Sequence, residues 1–524
     1  MERRPNIKLT LDQGLAVAND VCPDRSSQVL ADILGVKRAY LLRRSVDARR
    51  KNDVHFVVTA GIGDGEDAPQ EVQPIEQRSL PECRCEGVRP VVVGTGPAGL
   101  FAALELAEAG LCPLVIERGA PVEERVADVE RYRRTRVLDV ESNVQFGEGG
   151  AGTFSDGKLT TGKNSPQIAQ VLETFVAAGV PGEILWQAKP HIGTDVLSGV
   201  VKRIRERIIA CGGEVRFHTQ LVGMRVDAVG ILRGITLACD GESYEREASQ
   251  LILACGHSAR DTFALLKELG FDLEQKPFSI GVRIEHEQDF INHAQYGTAA
   301  SHPALGAADY KLACHLEGGR SVYTFCMCPG GEVVAASSEE GGLCVNGMSR
   351  QARDAVNANA ALLCNVTPDD FADATNPLSG IALQRRWEQA AFAAGGADWH
   401  APVQRVASFA GLTGKTRTMP EASYPLGVVE APIDTCLPGF AAAALREALP
   451  VLDRNLHGFA DPGALLTGIE ARSSSPVRVV RDPHTLMSTQ VHGVYPCGEG
   501  AGYAGGIMSA ALDGLRVARE LLQG

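Results

Sequence analysis

Three glycines, Gly94, Gly96 and Gly99, stand in GxGxxG spacing directly after the apolar run Val91-Val92-Val93. The first permits a tight turn, the second lets backbone come against a pyrophosphate, and the third lets a following helix pack close to the strand. The phosphates then meet the unpaired N–H groups of a helix N-terminus. Glu117 closes a second apolar run, Leu114-Val115-Ile116, 23 residues after Gly94. An acid there is expected to accept hydrogen bonds from ribose hydroxyls, and it disfavours a 2′-phosphate. Pro97, Ala98 and Arg118 flank these positions and complete the set expected at the adenosine and pyrophosphate end.

A second strand-to-glycine turn lies roughly 400 residues further on, in Gly493-Val494-Tyr495-Pro496-Cys497-Gly498-Glu499-Gly500-Ala501-Gly502-Tyr503-Ala504-Gly505-Gly506-Ile507. A nicotinamide dinucleotide needs no such distant clamp, whereas a flavin does. An acid is wanted at the ribityl hydroxyls, and a helix N-terminus near the N1/C2 carbonyl edge, where a reduced flavin gathers negative charge. Gly498, Glu499, Gly506 and Ile507 suit those roles, so the expected cofactor is FAD. Val222 and Gly256 are further expected contacts.

Reaction chemistry has several candidate carriers. Residues 147–158 are too rich in glycine for helix or strand and are expected to run along the flavin. N–H groups at Gly149 and Gly150 would face the pyrophosphate or flavin N5. Lys158 either stabilises an anionic flavin or substrate carboxylate, or lies in solvent. Cys326 and Cys328 are either a redox pair at the flavin or, the favoured reading, buried fillers sharing one face of a strand over residues 322–328. Cys83 and Cys85 form a second CxC pair, with less support. Arg472 and Arg478 flank Ser473-Ser474-Ser475-Pro476 and could receive an anion; Arg283 is another candidate, and a salt bridge to a neighbouring acid is the alternative for each. His257 is either a general acid or a satisfied structural side chain.

Elements to position these groups are legible. The 524 residues are 44% hydrophobic and 22% charged, as in a folded soluble chain, and the 57 glycines exceed the usual share of about 7%. Residues 90–117 read as strand, helix and strand. Residues 195–210 read as a helix, followed by an antiparallel meander over 214–239 and a buried strand at 251–256. Near the N-terminus, strands are expected at 6–10, 38–42 and 54–60 with a helix over 25–34, then a linker from 61 to about 85. Net charge is −13, which argues against a nucleic-acid partner, although the first 60 residues hold 11 basic against 7 acidic side chains. The 14 cysteines include no CxxC and no zinc-type spacing, so no metal site is expected. Without a signal-like segment or an apolar run long enough to span a bilayer, the expectation is a cytoplasmic protein with mostly free thiols, Cys112, Cys211, Cys239 and Cys364 acting as small hydrophobes.

The chain resembles flavoproteins of the glutathione-reductase type that carry one FAD domain and an inserted substrate domain. More narrowly, it is similar to the bacterial family of uncharacterised FAD-dependent dehydrogenases, related to the aminoacetone-oxidase-like flavoproteins. Beyond the FAD motifs, the resemblance rests on Ser45-Val46-Asp47-Ala48-Arg49-Arg50-Lys51, on Val144-Gln145-Phe146-Gly147-Glu148-Gly149-Gly150, on Phe325-Cys326-Met327-Cys328-Pro329-Gly330-Gly331 and on Arg472-Ser473-Ser474-Ser475-Pro476-Val477-Arg478. The wider group has Ala-Thr-Gly where this chain has Ala254-Cys255-Gly256, and often Asp at Glu499.

The resemblance implies an α/β protein, α+β overall. A small N-terminal α+β domain (1–85) precedes a Rossmann-type FAD-binding domain with an antiparallel meander, in two parts (86–261 and 466–524), around an inserted mixed α+β substrate domain (262–465). The expected activity is an FAD-dependent oxidoreductase, dehydrogenase or reductase, exchanging a hydride between a small-molecule substrate and flavin N5. No second GxGxxG in a strand–helix–strand context is present, so NAD(P)H or another electron donor or acceptor would have to visit the same site. A flavoprotein acting on RNA and a non-catalytic flavin redox sensor are the alternatives.

Overall fold

The computed structural model describes residues 1–63, 67–84 and 87–523. Cys85, and with it the second CxC pair, lies outside the described residues, as does part of the expected linker.

At the N-terminus, His55–Ile62 runs between Glu2–Leu9 and Ala39–Asp47 in an antiparallel sheet. Two helices cover it. Leu11–Asp20, which the sequence reading did not anticipate, begins at a capping box in which Thr10 and Gln13 satisfy each other's backbone N–H groups. Gln28–Leu34 is capped by Ser27 and stopped by Gly35 at φ +64°. Leu9, Val17, Leu30, Leu41 and Phe56 form the core, and Trp186 from outside the unit joins it. Arg44 lies between Phe56 and Trp186, 4.7 and 4.8 Å from the ring centres.

The central sheet is parallel, in the order Val494–Pro496, Leu251–Leu253, Val91–Val93, Leu114–Ile116 and Glu214–Arg216. Side chains alternate between its two faces, as the pleat requires. Val92, Val115 and Ile252 meet the helices Pro97–Glu108, Thr194–Ala210 and Ile507–Gln523. Val91, Val93, Leu251 and Leu253 pack with Leu221, Ile235 and Leu237 of the antiparallel meander Thr219–Val226, Leu232–Cys239 and Glu242–Glu247.

A seven-stranded mixed sheet carries the second large core, in the order Ala313–His315, Ser321–Cys328, Asn357–Val366, Phe278–Glu287, Leu465–Glu470, Ala401–Arg405 and Val428–Glu430. Its two central strands are buried along nearly their whole length. Leu465–Glu470 hydrogen-bonds along Phe278–Glu287. The sheet of the insertion therefore runs to Glu470, past the expected boundary at 465, while helix Arg260–Glu268 packs through Phe263 and Leu266 against the parallel sheet. Among the described residues, no helix is long and apolar enough to cross a membrane. Cys112 is disulfide-bonded, contrary to the reading of it as a free small hydrophobe.

Candidate functional site

The strand Val91–Val93 ends at Gly94, whose φ of +98° favours glycine. A Cβ at Gly94 would meet the Ala254 carbonyl oxygen at 2.4 Å, and one at Gly99 would meet the Gly94 carbonyl oxygen at 1.9 Å. Gly96 caps helix Pro97–Glu108 without a side-chain acceptor, so the first N–H groups of the helix stay open.

Glu117 lies beside this turn, but its four acceptor positions are taken. One oxygen accepts from Thr95 N (2.9 Å) and Thr95 Oγ1 (2.7 Å). The other accepts from Gly119 N and Gly147 N, both at 3.1 Å. The expectation of a carboxylate free for ribose hydroxyls is therefore corrected: Glu117 ties the glycine turn to the loop at 147, and a ribose would have to share an acceptor already in use.

Arg125, fully buried, holds the same loop from behind. Its guanidinium donates to the carbonyls of Asn143 (2.9 Å), Val144 (3.0 Å), Gly147 (3.2 Å), Glu148 (2.6 Å) and Gly150 (2.9 Å). Burial pulls its pKa down to about 10, so it remains a cation at neutral pH. The sequence reading missed it. The available signal was its place on the apolar stripe Val122, Arg125, Val129, Tyr132 of an otherwise charged helix. Gly149 and Gly150 do not offer the expected donors, because their N–H groups bond to the carbonyls of Thr95 and Gly147, each at 2.9 Å.

At the C-terminal turn, Gly498 N donates to Asp513 Oδ2 at 2.8 Å, and Asp513 is fixed in turn by a two-pronged pair with Arg481 at 2.7 and 3.0 Å. The carboxylate of Glu499 accepts no hydrogen bond from a described side chain or backbone group; its near neighbour is His257 Nε2, at 3.9 Å. Burial pushes Glu499 up to about 7, and burial together with Arg472 and Arg260 pushes His257 down to about 3, which keeps that imidazole neutral. Helix Ile507–Gln523 starts directly after Gly505 and Gly506, where an added Cβ would meet nothing within 4 Å.

Both turns open into one cleft of about 320 Å³, within the ~300–1,000 Å³ of pockets for small ligands and cofactors. Of the expected cofactor residues, Gly94, Gly96, Pro97, Ala98, Glu117, Arg118, Gly150, Gly256, Glu499, Gly506 and Ile507 line it. Gly99, Gly149 and Gly498 stand behind the wall. Val222 is a correction, since its side chain is partly exposed while its neighbours Thr219, Gln220 and Leu221 face the cleft.

The wall continues onto the seven-stranded sheet through Phe325, Cys326 and Glu470, and Asn346 joins them from a two-stranded antiparallel sheet, Gly331–Ala335 with Val345–Ser349. Lys158 also lines it, and its ammonium donates to the Met327 carbonyl and lies 3.7 Å from Asp156. Arg472 reaches the cleft, but its guanidinium is bidentate to the buried Glu388, at 2.8 Å twice, and Arg260 grips the same carboxylate. Its anion is therefore internal. Arg283 is fully buried behind the wall, paired with Glu470 at 2.5 Å. Burial raises Glu470 to about 7.

The two cysteines do not share a face as a regular strand would make them. Phe325 pairs with Ala361 and Cys328 with Asn359, so the strand bulges between them, and Cys326 adopts φ +41°. A bulge re-aims side chains. Cys326 faces the cleft while Cys328 is buried, which corrects the reading of both as fillers.

Residues 277–473 match the family described as FAD-dependent protein, C-terminal domain-like, and residues 89–127 match the FAD binding domain. An uncharacterised protein of Clostridium beijerinckii is 44% identical over 99% of this chain and 98% of its own length. Similar solved structures include a flavin-dependent brominase, with 14% identity, coverage of 83% of this chain and 80% of that one, and a TM-score of 0.37. Glycine oxidase from Geobacillus kaustophilus shows 12% identity, 83% and 95% coverage, and a TM-score of 0.33.

Proposed function

The chain belongs to the family of FAD-dependent proteins that includes the Clostridium beijerinckii relative, and from that premise we propose that it is an FAD-dependent oxidoreductase acting on a small molecule. FAD is its cofactor. The observation that carries the enzyme reading is the continuity of the cleft. Its glycine turns and helix starts lead without a break to Cys326 and Glu470 of the seven-stranded sheet and to Asn346 of the two-stranded one, which supply polar chemistry that holding a cofactor does not require.

The residues fit the group. The open N–H groups at the start of Pro97–Glu108 suit a pyrophosphate, and beside Gly96 only Gly150 Cα stands within 4 Å of where a Cβ would be, which leaves room for it to come close. Glu499, a half-buried carboxylate facing the cleft without a hydrogen-bond donor among the described residues, suits ribityl hydroxyls. The start of Ile507–Gln523 suits the edge of the flavin that turns negative on reduction. Bound FAD supplies the two-electron chemistry at N5. Around it, Lys158 would place a positive charge beside a substrate anion. Glu470, raised by burial against the pull of Arg283, would take or return a substrate proton.

An external electron donor or acceptor, such as NAD(P)H, would use the same cleft. A nucleic-acid partner finds little support, since Arg4, Lys8, Arg38 and Arg49 of the basic N-terminal unit pair with Glu2, Asp53, Asp24 and Asp47. The test is an anaerobic screen of metabolites against the FAD-loaded protein, following flavin absorbance. Bleaching by one chemical class, reversed by an acceptor, supports the reading. Flavin that no donor in the screen reduces, NADH and NADPH included, refutes it and leaves a binding protein.

A further inference from the structure

Cys326 and Cys328 form an unequal pair. Cys326 points into the cleft from a strained left-handed backbone position, which persists only where its surroundings enforce it. Arg283 does the enforcing: its Nη1 donates to the Cys326 carbonyl at 2.8 Å and to Asn359 Oδ1 at 3.1 Å, and it reaches Cys328 Sγ at 3.9 Å. Cys328, at 0% exposure, lies with its thiol 3.2 Å from the Cys326 carbonyl. The neighbouring Cys328 thiol, together with the charges of Arg283 and Lys158, lowers the Cys326 thiol, while burial raises that of Cys328. One sulfur is thus an accessible nucleophile and the other a shielded thiol behind it, the division of labour of an attacking and a resolving cysteine.

We propose that Cys326 and Cys328 are a redox-active dithiol that exchanges two electrons with the flavin bound in this cleft. The step balances without a further reagent. The Cys326 thiolate and the Cys328 thiol form one S–S bond, the Cys328 S–H bond breaks, and its proton leaves with two electrons to reduce the flavin to its anion, whose charge replaces that of the thiolate. In reverse, a reduced flavin opens the disulfide. A disulfide spanning a single residue is geometrically strained and easily reduced, so the pair cycles instead of locking. This function rests on the FAD reading above.

The experiment is an anaerobic reductive titration of the FAD-loaded protein, with alkylation and peptide mapping of residues 326–328 before and after. The wild type, oxidised first with one equivalent of a small disulfide, should take up two electrons more per flavin than Cys326→Ser. The peptide should pass from disulfide to two alkylated thiols as the flavin is reduced. Comparison with the variant cancels any electrons consumed by the disulfide at Cys112. Equal uptake by wild type and variant, with the peptide never found as a disulfide, overturns the pair while leaving FAD in place. Should Cys326→Ser fail to fold, the wild-type peptide map decides alone. A chain that retains no FAD overturns the cofactor reading and this exchange with it.

Discussion

Replacing Glu117 with Gln separates a brace from a ligand. The substitution is isosteric, so no cavity forms, but only one end of an amide accepts hydrogen bonds. Whichever way the amide turns, its NH₂ faces two donors, either Thr95 N and Oγ1 or Gly119 N and Gly147 N. Two hydrogen bonds to a charged acceptor, at about 1.5–3 kcal/mol each, are lost, for a total of about 3–6 kcal/mol. That energy holds the loop at 147 against the glycine turn, so the FAD-ready arrangement becomes a minor state. At about 1.4 kcal/mol per decade and with affinity scaling with the competent fraction, apparent FAD affinity should fall by ~10²–10⁴-fold. If Glu117 served chiefly as a ribose ligand, Gln would still accept one hydrogen bond, and the loss would stay near tenfold, about 0.5–1.5 kcal/mol. The assay is titration of apo-protein with FAD by quenching of flavin fluorescence. An affinity within tenfold of wild type would refute the brace.

Other outcomes follow from the same geometry. Gly99→Ala sets a methyl 1.9 Å from a backbone oxygen and should abolish FAD retention through gel filtration, whereas Gly162→Ala, with open space around it, should leave retention unchanged. Glu499 is raised to about 7 in the folded apo-protein, so the folded state holds its proton more tightly than the unfolded chain does. Its contribution to apo-protein stability is present below the ordinary carboxylate range and is lost as pH rises through about 7; melting temperatures of Glu499→Gln should lack that part of the wild-type slope between pH 4.5 and 7. Glu388→Gln leaves Arg260 and Arg472 buried without their shared anion, and urea unfolding should show a loss of about 3–5 kcal/mol.

What could be read from the chain and what could not divide along a physical line. The strand at Val91–Val93, the glycine turn, the helix after it and the acid at Glu117 are local, and local spacing gave them away. Whether Glu117 would have a free oxygen depended on Thr95 and on Gly147, thirty residues downstream. Arg125 lies among three further arginines in its helix, and only its position on the apolar stripe set it apart. The strand at Leu465–Glu470 was legible as a strand, but which sheet it would join is decided by packing against Phe278–Glu287. Cys326 escaped because a bulge obeys no period: an alternation rule places both cysteines on one face, and one extra residue breaks it.

The parallel sheet has a temporal consequence. Its edge strand Val494–Pro496 pairs with Leu251–Leu253, more than two hundred residues earlier in the chain. During synthesis the strands Val91–Val93, Leu114–Ile116 and Leu251–Leu253 leave the ribosome long before their partner exists, with the face later covered by Ile507–Gln523 still bare. The seven-stranded sheet, completed at Glu470, can finish first. Closure of the cofactor cleft waits for Val494–Pro496 and Ile507–Gln523 to emerge, so FAD can be gripped by both glycine turns only after that. Cells short of flavin would accumulate a nearly finished protein whose exposed seam invites proteolysis, so abundance of the protein would track supply of its cofactor.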